Sequence, residues 1–161
     1  TIHNALIDLL HEKSFDNITA KDVIAKARVN RTTFYRYYSG LVSLVDEVIA
    51  DFKADFATFL ADENCQTEQS FQQFLSNRHI ISALWKIQSR RHDLYDDMHK
   101  MLRVVFNDEL VKHKAVGNSV HYQAFICASM CMESLRYAIL YDENLTFKKT
   151  HEDIKMLADL I

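Results

Sequence analysis

Apolar positions recur at three- and four-residue spacing along almost the whole chain, the period of a helix with one buried face. Ile2, Leu6, Leu9 and Leu10 predict a first helix over about residues 2 to 13. "SFDNIT" breaks that pattern, with Phe15 and Ile18 as apolar anchors. Thr19 and Asp22 then read as a capping box, in which a threonine oxygen takes an early backbone N–H and an acid three residues on returns the bond. A short helix follows with Val23, Ile24 and Ala27 inward. "ARVN" is a tight turn, and Asn30 is a good N-cap for a helix over about Arg31 to Tyr37. A long helix starts near Leu41 and carries Leu44, Val45, Val48, Ile49, Phe52, Phe56 and Phe59.

The second half continues in the same period. Phe71, Phe74 and Leu75 mark a short helix, Ile80, Ile81, Leu84, Trp85 and Ile87 the next, and "QSRRHD" a connection. Leu94, Met98, Met101, Leu102, Val105, Phe106 and Leu110 predict about five turns, ended at "KAVGN" with Gly117. The segment Ser119 to Tyr141 is apolar nearly all round, which a one-sided surface helix does not need. Ala124, Ala128, Cys131 and Ala138 form a small-residue stripe on it that admits another helix closely. A second copy of the chain is the economical cover. Glu133 and Arg136, the charges of that helix, are assigned to the same interface. Thr150 to Asp153 repeats the capping-box pattern and opens a last helix with Ile154, Leu157 and Leu160.

Composition narrows the fold class to all-α. The 161 residues contain no proline and two glycines, and strand-rich folds draw heavily on both for their turns. No apolar run approaches the roughly 18 residues of a membrane span. The first residues carry acids and an amphipathic repeat, unlike a signal peptide. Three cysteines without a framework fit a reducing cytoplasm. The net charge of −3 offers nucleic acid no global attraction. Its distribution does: between Asp16 and Gly40 stand Lys21, Lys26, Arg28, Arg31 and Arg36 against Asp16 and Asp22.

That local excess surrounds "VNRTTFYRYY", Val29 to Tyr38, which packs three tyrosines, two arginines and two threonines into ten residues. Two short helices joined by a tight turn, the second basic and aromatic, have the layout of a helix–turn–helix. Phe34 and Tyr38 lie one turn apart and face the core, which points Arg31, Thr32, Tyr35 and Arg36 outward. Arginine reads guanine edges by a bidentate contact, and threonine bonds to bases or touches a thymine methyl. Tyrosine and threonine hydroxyls suit phosphate oxygens. Thr19 would present its hydroxyl and nearby N–H groups to another phosphate.

The order "F-x-x-I-T-x-x-x-V-I-A-x-x-A-x-V-x-R-T-T-F-Y-R-Y-Y", followed by a long apolar helix, closely resembles the DNA-binding domain of the tetracycline-repressor (TetR) family, from about Ala5 to Ile49. The resemblance implies a three-helix helix–turn–helix domain over residues 1–46 and a helical ligand-binding and dimerisation domain over 47–161. It implies a homodimer whose paired recognition helices read a palindromic double-stranded DNA operator, and a small-molecule effector acting on the second domain. The last two helices would form the dimer, which adds Leu157 to the interface. Carried over by position, Arg31 and Thr32 fall on base-reading sites, Thr33, Tyr35 and Tyr37 on or beside backbone-contacting sites, and Thr19 on a phosphate-contacting one. Arg36 can do either. Two positions depart from the family. Arg28 stands where glycine is usual, so a side chain must hold an unusual backbone conformation. Leu41 stands where a phosphate-binding lysine is common.

Other constellations have plainer readings beside them. His92, Asp96 and His99 at i, i+4 and i+7 suit a zinc ion if they share one helix face; the plainer reading, a solvated polar face, is preferred, and no metal or cofactor is assigned. Cys127 and Cys131 are assigned to packing. Phe74, Trp85, Tyr95 and Met98, with Leu102, Tyr122, Phe125 and Met130, could line an effector pocket, and their chemistry favours an apolar or aromatic ligand. No glycine-rich phosphate loop, H-E-x-x-H or G-x-S-x-G motif points to an enzyme. The expected function is a ligand-responsive regulator, acting by repression through operator occupancy. The alternative keeps the fold but gives control to a protein partner, with weak or lost DNA binding.

Overall fold

The computed structural model describes residues 1–62, 67–112, 119–142 and 144–158. Nine α-helices are present among them: α1 (Ile2–Glu12), α2 (Ala20–Ala27), α3 (Arg31–Tyr37), α4 (Leu41–Ala61), α5 (Glu68–Leu75), α6 (Arg78–Leu84), α7 (Leu94–Lys112), α8 (Ser119–Leu140) and α9 (Phe147–Ala158). A 3-10 turn at Phe15–Asn17 joins α1 to α2. The described residues include no strand, and extended pairing is confined to one isolated bridge between Gln88 and Asp93. The all-α class and the three N-terminal helices stand as the periodicity predicts. No helix among the described residues is long and apolar enough to cross a membrane.

The chain divides into two compact units, one of Thr1–Asp55 with Ile80–Leu94, the other of Phe56–His79 with Tyr95–Ile161. In the first unit the capping expectations hold in detail. The Thr19 side chain accepts from the Asp22 N–H, and Asp22 accepts from the Thr19 N–H at 2.8 Å, so the box closes from both sides. Asn30 Oδ1 accepts from the Thr33 N–H at 2.6 Å and starts α3. Arg28, at the C-cap of α2, sits at φ 55° and ψ 37°, the left-handed conformation that its replacement of a glycine required. The packed interior of this unit includes Leu6, Leu10, Val23, Phe34, Leu44, Val45, Ile81, Leu84 and Ile87.

The segment 80–94 is tied to this unit by polar bonds as well. Lys86 Nζ donates to the Leu10 carbonyl at 3.0 Å, satisfying an acceptor that the end of α1 leaves open. Asp46 on α4 receives Arg91 Nη2 at 2.8 Å and His92 Nε2 at 2.6 Å.

In the second unit Phe56, Phe59 and Phe74 form an aromatic cluster with centroids 5.0–6.3 Å apart. The α9 N-terminus is joined to α5 through the Phe71–Phe147 ring contact and a bond from the Lys148 N–H to Glu68. Helix α9 begins one turn before the expected start at Thr150. Thr146 Oγ1 accepts the Lys149 N–H at 3.1 Å and serves as the cap, while Thr150 turns its hydroxyl back to the Thr146 carbonyl. The interruption expected at Gly117 and the position of Leu160 lie outside the described residues, as does Cys65.

A residue with a Cβ in the left-handed region costs about 1–2 kcal/mol. Part of that is recovered as unfolded-chain entropy when glycine is avoided. Arg28→Gly is therefore expected to raise the unfolding free energy by about 0.5–1 kcal/mol, read as a higher urea midpoint at unchanged m-value.

Candidate nucleic-acid interface

The face of α3 is set by what the helix buries. Phe34 is fully buried and Tyr38 nearly so, whereas Arg31, Thr32, Tyr35, Arg36 and Tyr37 are exposed and Thr33 is half-exposed. Phe34 also supports the outer face, since the Tyr35 ring meets it edge-on at 5.3 Å. Arg31 lies over the Tyr35 ring at 5.3 Å, and Arg36 lies over Tyr37 at 4.9 Å while donating to its hydroxyl at 3.0 Å. Both arginines are thus laid along the helix surface, which reduces the rotamer freedom that binding would remove. All six α3 residues named from the sequence are at least half-exposed on this two-turn helix.

Thr19 is exposed at the start of α2 but already committed. Its hydroxyl donates to Asp22 Oδ2 at 2.7 Å, and Lys13 Nζ reaches the same oxygen at 2.9 Å. A phosphate arriving here meets a carboxylate already neutralised by lysine. The Asp22 carboxyl is held down at about 2, chiefly by the Lys13 bond and then by the hydroxyl and N–H of Thr19. The α4 entrance is similarly occupied, because the Gly40 N–H donates to Ser43 Oγ at 3.2 Å.

Charge pairing sharpens the basic footprint. Lys26 pairs with Glu12, and Lys13 with Asp22. Lys21, Arg28, Arg31 and Arg36 make no ion pair with a carboxylate among the described residues, so their charge is available to a polyanion.

The remaining predicted residues distribute differently. Ala124, Ala128 and Ala138 are buried in the chain's own interior and Cys131 is half-buried, so the small-residue stripe faces inward. The exposed stripe of α8 is the opposite one: Tyr122, Phe125, Ile126, Met130, Tyr137 and Leu140, with Tyr141 exposed just past the helix end. Glu133 and Arg136 pair with each other, and Tyr95 donates to Glu133 at 2.6 Å. Burial and the Glu133 charge together push the Tyr95 hydroxyl up to about 12. Leu157 falls on α9, and its side chain lies outside the described residues.

Of the effector-pocket candidates, Phe74, Met98 and Leu102 are buried, and Trp85 and Tyr95 are half-buried. Tyr122 and Phe125 come together with Arg103, Val104, Asn107, His121 and Ala124 around an open groove of about 580 Å³.

His92, Asp96 and His99 do not assemble. Helix α7 starts at Leu94, which leaves His92 outside it, bound to Asp46, while Asp96 pairs with Lys100 and His99 bonds to Ser129. Cys131 is pushed up to about 11 by burial and then by Cys127, which keeps it a protonated packing residue at neutral pH.

Three polar ties in the first unit carried no signal in the sequence. They are His3–Tyr38–Glu47, Asp46 with Arg91 and His92, and Lys86 with the Leu10 carbonyl. Their partners stand 9 to 76 positions apart, beyond any helical period.

Residues 2–48 match the family model described as bacterial regulatory proteins, tetR family. An uncharacterized HTH-type transcriptional regulator, YxbF of Bacillus subtilis (strain 168), is 34% identical over 61 residues, which are 38% of this chain and 16% of that protein's length. Among solved structures, the dihydroxyacetone kinase operon activator DhaS has a similar fold, with a TM-score of 0.60 at 15% identity, covering 99% of this chain and 93% of that one.

Because Asp22 titrates lower in the folded state than its ordinary 3.8, its ionised form stabilises the fold above that value, and the contribution is lost as pH falls toward about 2. Asp22→Asn should melt below wild type at neutral pH. The gap between their melting temperatures should close between about pH 4 and pH 2, as followed by circular dichroism.

Proposed function

We propose, for a chain whose residues 2–48 match the model of the tetR family of bacterial regulatory proteins, that it regulates transcription by binding operator DNA as a homodimer in the cytoplasm. The observation that carries the reading is the outer face of α3. Arg31, Thr32, Tyr35, Arg36 and Tyr37 are exposed together while Phe34 and Tyr38 hold the helix from beneath.

In this reading α3 lies in the major groove. Arg31 and Thr32, in its first turn, read base edges. Thr33, Tyr35 and Tyr37 position the helix on the backbone, and Arg36 and Lys21 add phosphate neutralisation. Thr19 contributes by holding the α2 N-terminus in shape, with its hydroxyl able to turn from Asp22 to a phosphate. We assign residues 1–46 to DNA binding and 47–161 to dimerisation and effector response. Repression by occupancy is the expected mode, and DhaS, a protein of similar fold, is by its name an activator. No catalytic role is proposed.

The exposed stripe of α8 from Ile126 through Met130 and Tyr137 to Leu140 is the surface we assign to the second subunit. Exposed apolar patches of this kind mark association sites. Glu133 and Arg136, paired on the same helix, would flank it as polar contacts. The buried alanines support the interface only by letting α8 sit close to its own neighbours. We place effector response in the second unit, where Phe74, Met98 and Leu102 form an apolar interior and Tyr122 and Phe125 border the groove.

DNA readout separates the roles of two side chains. Arg31→Ala should cost about 1–3 kcal/mol of specific binding and relax selectivity at one base pair. Tyr35→Phe should weaken specific and random duplexes alike, because a phosphate contact carries no sequence information. The check is a fluorescence anisotropy titration against an operator selected from genomic fragments. Wild-type affinity in both variants would remove α3 from the groove.

The dimer assignment predicts that Ile126→Glu with Tyr137→Glu yields a monomer of unchanged helicity by sedimentation velocity. A wild-type chain already monomeric at tens of micromolar would instead leave that face to a different protein.

A further inference from the structure

The first unit carries a side-chain cluster that DNA reading does not use. His3 on α1 faces Glu47 and Asp51, one turn apart on α4. His3 Nε2 lies 3.0 Å from Glu47 Oε1 and 3.0 Å from the Tyr38 hydroxyl, which donates to Glu47 at 2.8 Å. One donor atom from each of His3, Glu47 and Asp51 lies within 4.8 Å of the other two. Glu47 and Asp51 are exposed and His3 half-exposed, so an ion can enter from solvent.

The charge arrangement favours a cation. Glu47 and Asp51 are like charges at i and i+4, a spacing that costs a helix free energy when nothing lies between them. Asp51 makes no hydrogen bond or ion pair among the described residues. The imidazole across from them supplies a nitrogen donor. One nitrogen and two carboxylate oxygens suit first-row divalent ions, zinc among them. Zinc–ligand bonds of about 2.0–2.2 Å in a tetrahedron put ligand atoms about 3.3–3.5 Å apart. The His3–Glu47 edge is within a few tenths of an ångström of that, and the Asp51 carboxylate needs only to close inward.

We propose that His3, Glu47 and Asp51 bind one divalent transition-metal ion, Zn²⁺ or one of like chemistry, with water completing the coordination. The imidazole binds through Nε2 as the tautomer with its proton on Nδ1. Tyr38 keeps its hydroxyl bond to Glu47 and so orients that carboxylate toward the ion. The ion bridges α1 and α4 and holds the residue that caps α3, which makes it a tether across the helix–turn–helix. Because the ion binds the folded chain, it raises the melting temperature in proportion to the logarithm of its concentration above Kd.

The test uses the intact chain and the metals alone. Zn²⁺ is titrated by calorimetry, and Co²⁺ is followed by its visible absorption. The expected result is one saturable site per chain with a cobalt band of low coordination number. His3→Gln and Asp51→Asn should each weaken binding by about tenfold or more and abolish the zinc-dependent rise in melting temperature. His121→Gln with His151→Gln, which alters exposed histidines of the other unit, should leave site and rise intact. Asp51 is exposed and without a bond to lose, so its variant keeps the fold and makes the comparison sound. Wild-type affinity in Asp51→Asn, or no saturable binding by the wild-type chain, overturns the proposal. None of these readouts involves DNA, so they stand apart from the fate of the regulatory reading.

Discussion

The burial of one ring, Phe34, governs the chemistry of the N-terminal half. The ring is fully buried at the midpoint of a seven-residue helix. A helix this short has little stability of its own. Packing must hold it, and removing a buried phenylalanine typically costs about 3–5 kcal/mol out of a total of roughly 5–15. Once Phe34 points inward, helical geometry turns Thr32 and Arg36 to the opposite side, and Arg31 and Tyr35 at the edges are left exposed as well. The same ring supports Tyr35 edge-on and Tyr38 at 5.5 Å, so the residues that would meet DNA and the residue that ends the helix share one anchor.

That anchor works only if the surrounding helices are rigid, and their rigidity comes from polar bonds across long stretches of chain. Tyr38 passes the constraint from α3 to Glu47 on α4 and to His3 on α1. Burial, then the Glu47 bond, pushes its hydroxyl up to about 12, so it stays protonated and donating across any physiological pH. Asp46, on the next residue of α4, binds Arg91 and His92. Neighbouring positions of one helix thereby hold α1 and α3 on one side and the 80–94 segment on another. This helps explain why Ile80–Leu94 groups with the first fifty-five residues, although the resemblance implies a boundary after residue 46.

The sequence was most legible where the physics is local. Thr19, Asp22 and Asn30 cap through neighbours three residues away, so the starts of α2 and α3 could be read from spacing. Arg28 in a glycine position announced a left-handed residue, and that is the conformation it holds. Legibility failed where two local readings compete. Thr146 and Thr150 are both plausible caps, and the earlier one won because its hydroxyl takes the Lys149 N–H. It failed again on α8, whose small and large residues fill opposite stripes. A helix apolar all round does not say which stripe faces inward; packing decides, and the alanines went in. The His3, Asp46 and Lys86 ties were invisible because no pattern links residues so distant in the chain.

Electrostatics connects the two stripes that remain outside. The chain as a whole carries a charge of −3, so attraction to DNA depends on where the cations lie. Lys13 and Lys26 are consumed by Asp22 and Glu12, which leaves Lys21, Arg28, Arg31 and Arg36 around the α2–α3 turn. Each phosphate neutralised adds about 0.9 to the salt slope of duplex binding. Four cations on one copy are a thin basis for holding DNA at physiological salt against a net negative body. In the proposed dimer, two copies would double the cations and convert the second encounter into an intramolecular one. In the proposed dimer the stripe of α8 would therefore supply, by pairing two copies, the affinity that a single arginine face on the short α3 lacks.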